Sequence, residues 1–283
     1  MSQNPHSTPE PFGARLHRKV AERGRVCVGI DPHASLLEAW GLADDLAGME
    51  RFAMTATEAI APHVSMVKPQ SAFFERFGSR GVAVLARVVS TAREAGALVC
   101  MDVKRGDIGS TSQAYADAYM DPRSDLASDA VTVSPYLGFG SLAPFVETAR
   151  RTGAGIFALA LTSNPEGASV QRSTTADGRT VAASILDDLR ALNADATPLG
   201  SFGAVVGATI DDPGTSLEVN GPLLVPGFGA QGGTVEDMVR IFGDAAGNVL
   251  PSTSRGVLAA GPSAVALADA ARRANDEVAV LGR

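Results

Sequence analysis

The chain has 283 residues, with 24 Lys plus Arg against 31 Asp plus Glu, so its formal net charge is −7. A hydrophobic share of 45% and a charged share of 19% are typical of a globular protein and exclude a disordered one. No apolar run reaches the roughly 18 residues of a membrane span. An acidic chain also lacks the basic field of most nucleic-acid-binding proteins, so we expect neither a membrane nor a nucleic acid as partner.

The N-terminal stretch 1–13 is polar and rich in proline, without the basic start and apolar core of a signal peptide. We therefore interpret residues 1–19 as a flexible leader and the start of a first helix, and 20–283 as a single domain. Cys27 and Cys100 lie inside apolar runs, where reduced, buried thiols are expected rather than a disulfide. These features favour a cytoplasmic protein.

The apolar runs predict the fold class. Eight short, continuously apolar segments are typical of strands buried on both faces: 26–31, 64–70, 97–105, 130–137, 155–163, 203–210, 222–230 and 248–256. Helical patterns occupy many of the gaps, at 51–62, 81–96, 142–153, 181–194 and 234–247. Eight strand–helix units in about 250 residues predict an α/β fold of the (β/α)8 barrel type, with a doubly wound open sheet as the alternative.

Polar side chains lie at the predicted C-terminal strand ends, where such barrels keep their functional groups. They are Asp31, Lys68, Gln70, Asp102, Lys104, Thr162, Ser163, Gln231, Ser254 and Arg255. The charged ones inside apolar strands are the most informative, because burying an unpaired charge costs several kcal/mol. We therefore expect Lys68, Asp102 and Lys104 to pair with one another.

The spacing favours this pairing, since Asp102 and Lys104 are two apart on one strand and so point to one face. Asp107 follows in the next loop. A structural ion-pair ring at the barrel mouth is one alternative. A Mg²⁺ site on Asp102 and Asp107 is another, but two lysines already supply the positive charge a metal would bring. The four histidines form no paired-ligand pattern and are expected in surface or loop positions: His6, His17, His33 and His63.

The segment GFGAQGG at 227–233 matches the GxGxxG pattern of dinucleotide-binding folds. It follows the seventh predicted strand rather than the first, so a monophosphate site fits its position better. Glycine lets backbone N–H groups approach phosphate oxygens, and a helix N-terminus is expected at Thr234. Arg255, after the eighth strand, adds a bidentate donor. A tight turn beside a surface arginine is the alternative.

Several segments closely resemble the orotidine 5′-phosphate decarboxylase family, in the longer branch common in bacteria. They are VGIDP (28–32), VKPQSAFFERFG (67–78), MDVKRGDIGSTSQAYADAY (101–119), ALTSNP (160–165), VPGFGAQGG (225–233) and STSRG (252–256). The DVKRGDIGST stretch is the most specific, because a bare DxKxxD also occurs in phosphosugar enzymes.

The resemblance implies a barrel that decarboxylates orotidine 5′-monophosphate (OMP) to UMP in de novo pyrimidine biosynthesis, without a cofactor or metal. It implies a catalytic tetrad of Lys68, Asp102, Lys104 and Asp107, with Lys104 as proton donor. It also implies a homodimer in which Asp107 and Thr111 reach the partner's site. The implied substrate-binding residues are Asp31 at the ribose, Ser163 and Pro226 at the pyrimidine, and Gln231 and Arg255 at the phosphate. Ser254 is a further expected substrate-binding residue.

The sequence is compatible with two other functions. A related phosphosugar decarboxylase or lyase would depend on a metal, with a ligand where Lys68 stands. A non-catalytic barrel would bind the nucleotide without turnover.

Overall fold

The computed structural model describes residues 9–229 and 232–282. Eight parallel strands form a closed barrel in chain order: β1 (Cys27–Ile30), β2 (Met66–Pro69), β3 (Leu98–Arg105), β4 (Ala130–Val133), β5 (Gly155–Leu161), β6 (Phe202–Val206), β7 (Leu223–Pro226) and β8 (Val249–Thr253). The barrel closes where β1 pairs with β8, with Cys27 opposite Ser252. The (β/α)8 prediction is thus confirmed, and the open-sheet alternative is wrong.

The α-helices of the described residues surround this barrel: α1 (Phe12–Arg23), α2 (Ala34–Ala39), α3 (Leu46–Ile60), α4 (Ala72–Glu75), α5 (Gly78–Glu94), α6 (Gly109–Met120), α7 (Ala143–Thr152), α8 (Ala168–Gln171), α9 (Val181–Leu192), α10 (Val235–Phe242), α11 (Arg255–Leu258) and α12 (Ala264–Val278). Short 3₁₀ helices lie at Ala61–His63, Phe139–Leu142, Pro165–Gly167, Gly243–Asn248 and Ala279–Gly282. The five helical patterns of the sequence correspond to α3, α5, α7, α9 and α10. None of the described helices has the length and apolar character needed to cross a membrane.

Helix α1 covers the N-terminal end of the barrel. Phe12 and Leu16 are fully buried there, and the ring of Phe12 meets that of Phe157 edge to face at 5.9 Å. Arg15 pairs with the buried Asp129 and donates to the carbonyl of Gly153 at 2.8 Å. The helix therefore belongs to the packed barrel, and the predicted boundary between residues 19 and 20 falls inside it.

The alternation of side chains along each strand separates an inner from an outer core. One buried cluster inside the barrel includes Cys27, Met66, Cys100, Phe157 and Leu224, whereas their strand neighbours pack against the helices. Two residues beyond Met66 and Cys100, the same inward direction places Lys68 on β2 and Asp102 on β3. Asp31 follows four residues after Cys27, directly beyond β1. The barrel interior is thus apolar toward the N-terminal ends of the strands and polar toward their C-terminal ends.

Candidate active site

A cavity of about 250 Å³ opens at the C-terminal ends of the strands. Its floor is apolar, formed by Leu159, Val205 and Leu224. Its rim carries the polar side chains that the strand alternation points inward. The cavity therefore lies where a (β/α)8 barrel places its chemistry.

Asp102 lies between two lysines. Its Oδ2 accepts a hydrogen bond from Lys68 Nζ at 2.7 Å, and its Oδ1 accepts one from Lys104 Nζ at 2.6 Å. The side chains of Lys68 and Asp102 are 9% and 7% exposed, whereas that of Lys104 is 44% exposed. The predicted pairing is confirmed, and the most accessible charge of the three is the Lys104 ammonium.

Burial and charge act in opposite directions on these groups. Burial alone would lower the pKa of Lys68, but the charges of Asp102 and Asp31 outweigh it and hold that pKa above its ordinary value. Burial alone would raise the pKa of Asp102, but the charges of Lys68 and Lys104, with their hydrogen bonds, hold it below its ordinary value. Lys68 is therefore cationic and Asp102 anionic at neutral pH.

Lys104 does not reach this place by regular strand geometry. Met101 pairs with Val131 and Arg105 with Val133, so three residues of β3 lie opposite one residue of β4. This bulge gives Lys104 a φ of +45°, a conformation that costs a non-glycine residue roughly 1–3 kcal/mol. Asp102 and Lys104 meet as predicted, but through a distorted strand end rather than simple alternation.

Asp31 and Ser254 hold polar atoms without protein partners. Asp31 Oδ1 and Ser254 Oγ are buried and accept or donate no hydrogen bond among the described residues, although both side chains line the cavity. A Cβ on Gly29 would lie 2.8 Å from Asp31 Oδ2 and 3.0 Å from Ser254 Cβ, so glycine is needed for this close approach. Buried polar atoms of this kind are normally satisfied, which indicates that a bound ligand completes them.

Gly227 and Phe228, at the start of the glycine-rich segment, line the cavity together with Arg255. Gly227, Gly229 and Gly232 have φ values of +103°, +71° and +89°, which only glycine adopts readily. Gly233 N donates to Gly227 O at 3.0 Å and folds the loop back on itself. Gln231, one of the predicted phosphate residues, lies outside the described residues.

Helix α10 does not contribute as the sequence predicted. Its first turn contains Glu236 and Asp237, and Thr234 and Asp237 form a reciprocal capping box. These carboxylates disfavour an anion at the helix N-terminus. The expectation that this N-terminus helps to bind a phosphate is therefore not supported.

Three predicted residues do not line this cavity within the chain. Asp107 is half-buried and its carboxylate accepts from Ile108 N at 2.8 Å, while Thr111 is exposed at the start of α6. Ser163 is exposed on the rim, directly after the cavity-lining Thr162. Pro226, by contrast, lines the cavity.

The sequence did not single out four polar residues that line the cavity: His33, Thr132, Ser252 and Thr253. Gln70, predicted at the end of the second strand, also lines it. His33 follows β1 and its ring packs on Phe73 at 4.2 Å, and burial lowers its pKa below the ordinary value. Thr132 could have been found, because it is a polar residue inside an apolar strand, the signal that identified Asp102. Within the described residues, no group of three His, Cys, Asp or Glu side chains is arranged to hold a metal ion.

A comparison with known families gives a match over residues 24–270 to the model described as the orotidine 5′-phosphate decarboxylase / HUMPS family. The chain belongs to this family. An orotidine 5′-phosphate decarboxylase from Nocardioides sp. is 66% identical over 271 residues, which cover 95% of this chain and 98% of the relative. The Streptomyces coelicolor decarboxylase is 62% identical over 265 residues, covering 93% of this chain and 95% of that protein.

Solved structures agree with this membership of the decarboxylase family. A crystal structure of a proposed orotidine 5′-phosphate decarboxylase from Streptomyces avermitilis superposes with a TM-score of 0.97 at 59% identity, covering 100% of this chain and 99% of that chain. The Leishmania donovani OMP decarboxylase superposes with a TM-score of 0.76 at 28% identity, covering 96% and 99%. These matches confirm the resemblance and the predicted enzyme class, a carboxy-lyase.

Proposed function

We propose that the cavity binds OMP and that Lys68, Asp102 and Lys104 remove its carboxyl group as CO₂ to give UMP, without a cofactor. The observation that carries this proposal is the single carboxylate of Asp102 held between two ammonium groups at the barrel mouth. One of these ammonium groups is buried and fixed, and the other is accessible. The arrangement suits a reaction that needs a fixed positive charge and a proton at one carbon atom.

The chemistry requires such a charge. When the bond from C6 to the carboxyl carbon breaks, CO₂ leaves and the electron pair stays in a C6 orbital that is not conjugated with the ring carbonyls. The Lys104 ammonium stabilises this carbanion by attraction and then transfers its proton to C6. The neutral Lys104 amine regains a proton from water before the next turnover.

Lys104 supplies only part of the lowering of the reaction barrier. At about 4 Å and an effective dielectric constant near 20, one charge contact is worth about 4 kcal/mol. Large enzymatic accelerations need up to roughly 23 kcal/mol. Asp102, beside the substrate carboxylate, raises the energy of the ground state through a repulsion that ends as CO₂ leaves. The substrate phosphate supplies further binding energy that holds the ring in place.

The polar groups around the mouth give the substrate one orientation. The unpaired Asp31 Oδ1 and Ser254 Oγ face the ribose and the phosphate end. Arg255, with Gln231 and the glycine-rich loop, binds the phosphate. Ser163 and Pro226 bind the pyrimidine, so that C6 lies toward Lys104.

We propose that the active unit is a homodimer in which Asp107 and Thr111 complete the partner's site. Both residues stand outside their own cavity, in the segment after β3. That segment and the loop after β4 expose three large apolar side chains: Ile108 (63% exposed), Tyr136 (77%) and Leu137 (52%). Ser134 N donates to Arg105 O at 2.8 Å, which holds the two loops that carry this group together. Large exposed apolar side chains in one place are typical of an interface.

Mixing two inactive variants tests the dimer. Lys104→Ala and Asp107→Ala subunits, refolded together, should recover about a quarter of the wild-type activity, because half of the dimers are hybrids with one intact site. No recovery, in a mixture shown to exchange subunits, would contradict the shared site.

A cytoplasmic location is also proposed. Cys27 and Cys100 are free and buried, and burial raises the pKa of Cys27 to about 12. Free thiols are typical of the reducing cytoplasm.

The metal-dependent phosphosugar reaction is the second candidate. The geometry disfavours it, because a cation bound to Asp102 would have to displace the ammonium of Lys68 or Lys104. One assay separates the candidates: the loss of OMP absorbance is followed with and without a chelator. We expect turnover that is insensitive to the chelator and absent in Lys104→Ala, which still folds and binds UMP. Wild-type turnover in Lys104→Ala would refute Lys104 as the acid.

A further inference from the structure

Thr132 joins β4 to the reactive end of β3. It lies in the middle of β4, points into the barrel and is 1% exposed. Its Oγ1 donates to Asp102 Oδ1 at 2.8 Å and accepts from Val103 N at 3.0 Å and Lys104 N at 2.9 Å. A hydroxyl has one proton and two lone pairs, so Thr132 uses its whole hydrogen-bonding capacity on these three residues.

The bulge explains why this hydroxyl is needed. Thr132 is the one β4 residue that lies opposite the three β3 residues Asp102, Val103 and Lys104. At this point the N–H groups of Val103 and Lys104 bond to a side chain rather than to a strand carbonyl. The same oxygen therefore fixes the backbone that gives Lys104 its φ of +45° and the carboxylate that holds the Lys104 ammonium.

We propose that Thr132 is a positioning residue that sets the Lys104 ammonium and the Asp102 carboxylate in their reactive places. The proposal rests on the proposed function, in which Lys104 protonates C6. Thr132 acts through Asp102 and Lys104 and does not itself move a proton to the substrate. The positioning depends on the Thr132 hydroxyl and not on the shape of the side chain.

Two substitutions separate hydroxyl from shape. Thr132→Val keeps the branched shape and loses the hydroxyl, whereas Thr132→Ser keeps the hydroxyl. Thr57→Val is the matched control, because Thr57 is also fully buried and its Oγ1 donates to Ala53 O at 2.7 Å in α3, away from the cavity. If Thr132→Val does not fold, Thr132→Cys keeps the size with a weakly bonding thiol and carries the same expectation.

The readouts are kcat, KM, the Kd for UMP and the exchange of the C6 proton of UMP with D₂O, followed by NMR. The exchange reports the same proton transfer without loss of CO₂. We expect Thr132→Val to lower kcat and the exchange rate together by about 100-fold, because a misplacement of about 1 Å has this effect. KM and the Kd for UMP should stay within about threefold, and Thr132→Ser should recover most of the rate, while Thr57→Val keeps wild-type kcat.

Three results would overturn the proposal: wild-type kcat in folded Thr132→Val, equal losses in the Val and Ser variants, or a loss confined to KM. Lys104→Ala, assayed alongside, distinguishes a failure of the proposed function from a failure of the positioning role of Thr132. If Lys104→Ala keeps its turnover, the proposed function fails. If Lys104→Ala is inactive while folded Thr132→Val is fully active, only the positioning role fails.

Discussion

Replacing Asp102 tests whether its charge holds the site together. Asp102→Asn keeps the size of the side chain but removes the charge that Lys68 contacts at 2.7 Å. The Lys68 side chain is 9% exposed and cannot turn into solvent, so it would be left with Asp31 as its remaining acidic neighbour. Breaking a buried pair in this way costs about 3–5 kcal/mol of unfolding free energy.

The reciprocal change should cost less. In Lys68→Met, Asp102 keeps its bond from Lys104 at 2.6 Å and that from Thr132 at 2.8 Å. The lost bond to a charged group is worth about 1.5–3 kcal/mol. The structure therefore predicts an asymmetry within one ion pair, with the larger loss at Asp102.

Urea unfolding at pH 7, followed by circular dichroism, measures both losses. The double variant Lys68→Met/Asp102→Asn should be more stable than Asp102→Asn alone, because no buried charge is left uncompensated at Lys68. Arg87→Met is the control, since it breaks the exposed ion pair with Glu50 and should cost about 1 kcal/mol or less. The reasoning is refuted if Lys68→Met is as destabilising as Asp102→Asn, or if the double variant shows the sum of the two losses.

Three further predictions concern binding and pH. Arg255→Ala should raise KM by about 100-fold or more, because the exposed guanidinium binds the phosphate. Its urea unfolding should stay unchanged, because this side chain packs little. A wild-type KM would show that Arg255 does not bind the phosphate. Gly29→Ala should weaken UMP binding, since its Cβ would lie 2.8 Å from Asp31 Oδ2; calorimetry showing wild-type affinity would contradict a ribose role for Asp31. The pKa of Asp102 is lowered by folding, so its ion pairs stabilise the protein fully above its unfolded pKa of about 4. This stabilisation is lost as pH falls through the folded pKa. The pKa of Lys68 is raised by folding, so its stabilisation is full below its unfolded pKa of about 10.4 and is lost as pH rises through the folded pKa. Between about pH 5 and 9 this pair should therefore add no slope to the unfolding free energy, and a slope there that disappears in Asp102→Asn would refute the assignment.

The barrel and most of its mouth could be predicted because both depend on local patterns. Continuous apolar runs identified all eight strands. The alternation of side chains along a strand accounts for the inward direction of Asp31, Lys68 and Asp102. Seven of the eight predicted strands run past the observed ends, for example 130–137 against Ala130–Val133. The reason is that apolar side chains continue into the loops at the mouth, as Tyr136 and Leu137 do.

What could not be predicted depends on contacts between segments. The bulge at Lys104 arises from the pairing of β3 with β4, and a single strand pattern contains no sign of it. His33 lies in the cavity because the chain turns inward after β1 and packs on Phe73, far along the sequence. The capping box of α10 was visible as Thr234 and Asp237, and it argues against a phosphate contact at the N-terminus of α10 itself.

A crystal structure with a 6-substituted uridine monophosphate tests the assignment of the proton donor most directly. If Lys104 is the proton donor, its ammonium should lie within about 2.6–3.2 Å of the substituent on C6, with Lys68 and Asp102 turned toward the same side of the ring. A complex in which that ammonium points into solvent, or in which another side chain faces C6, would contradict this assignment.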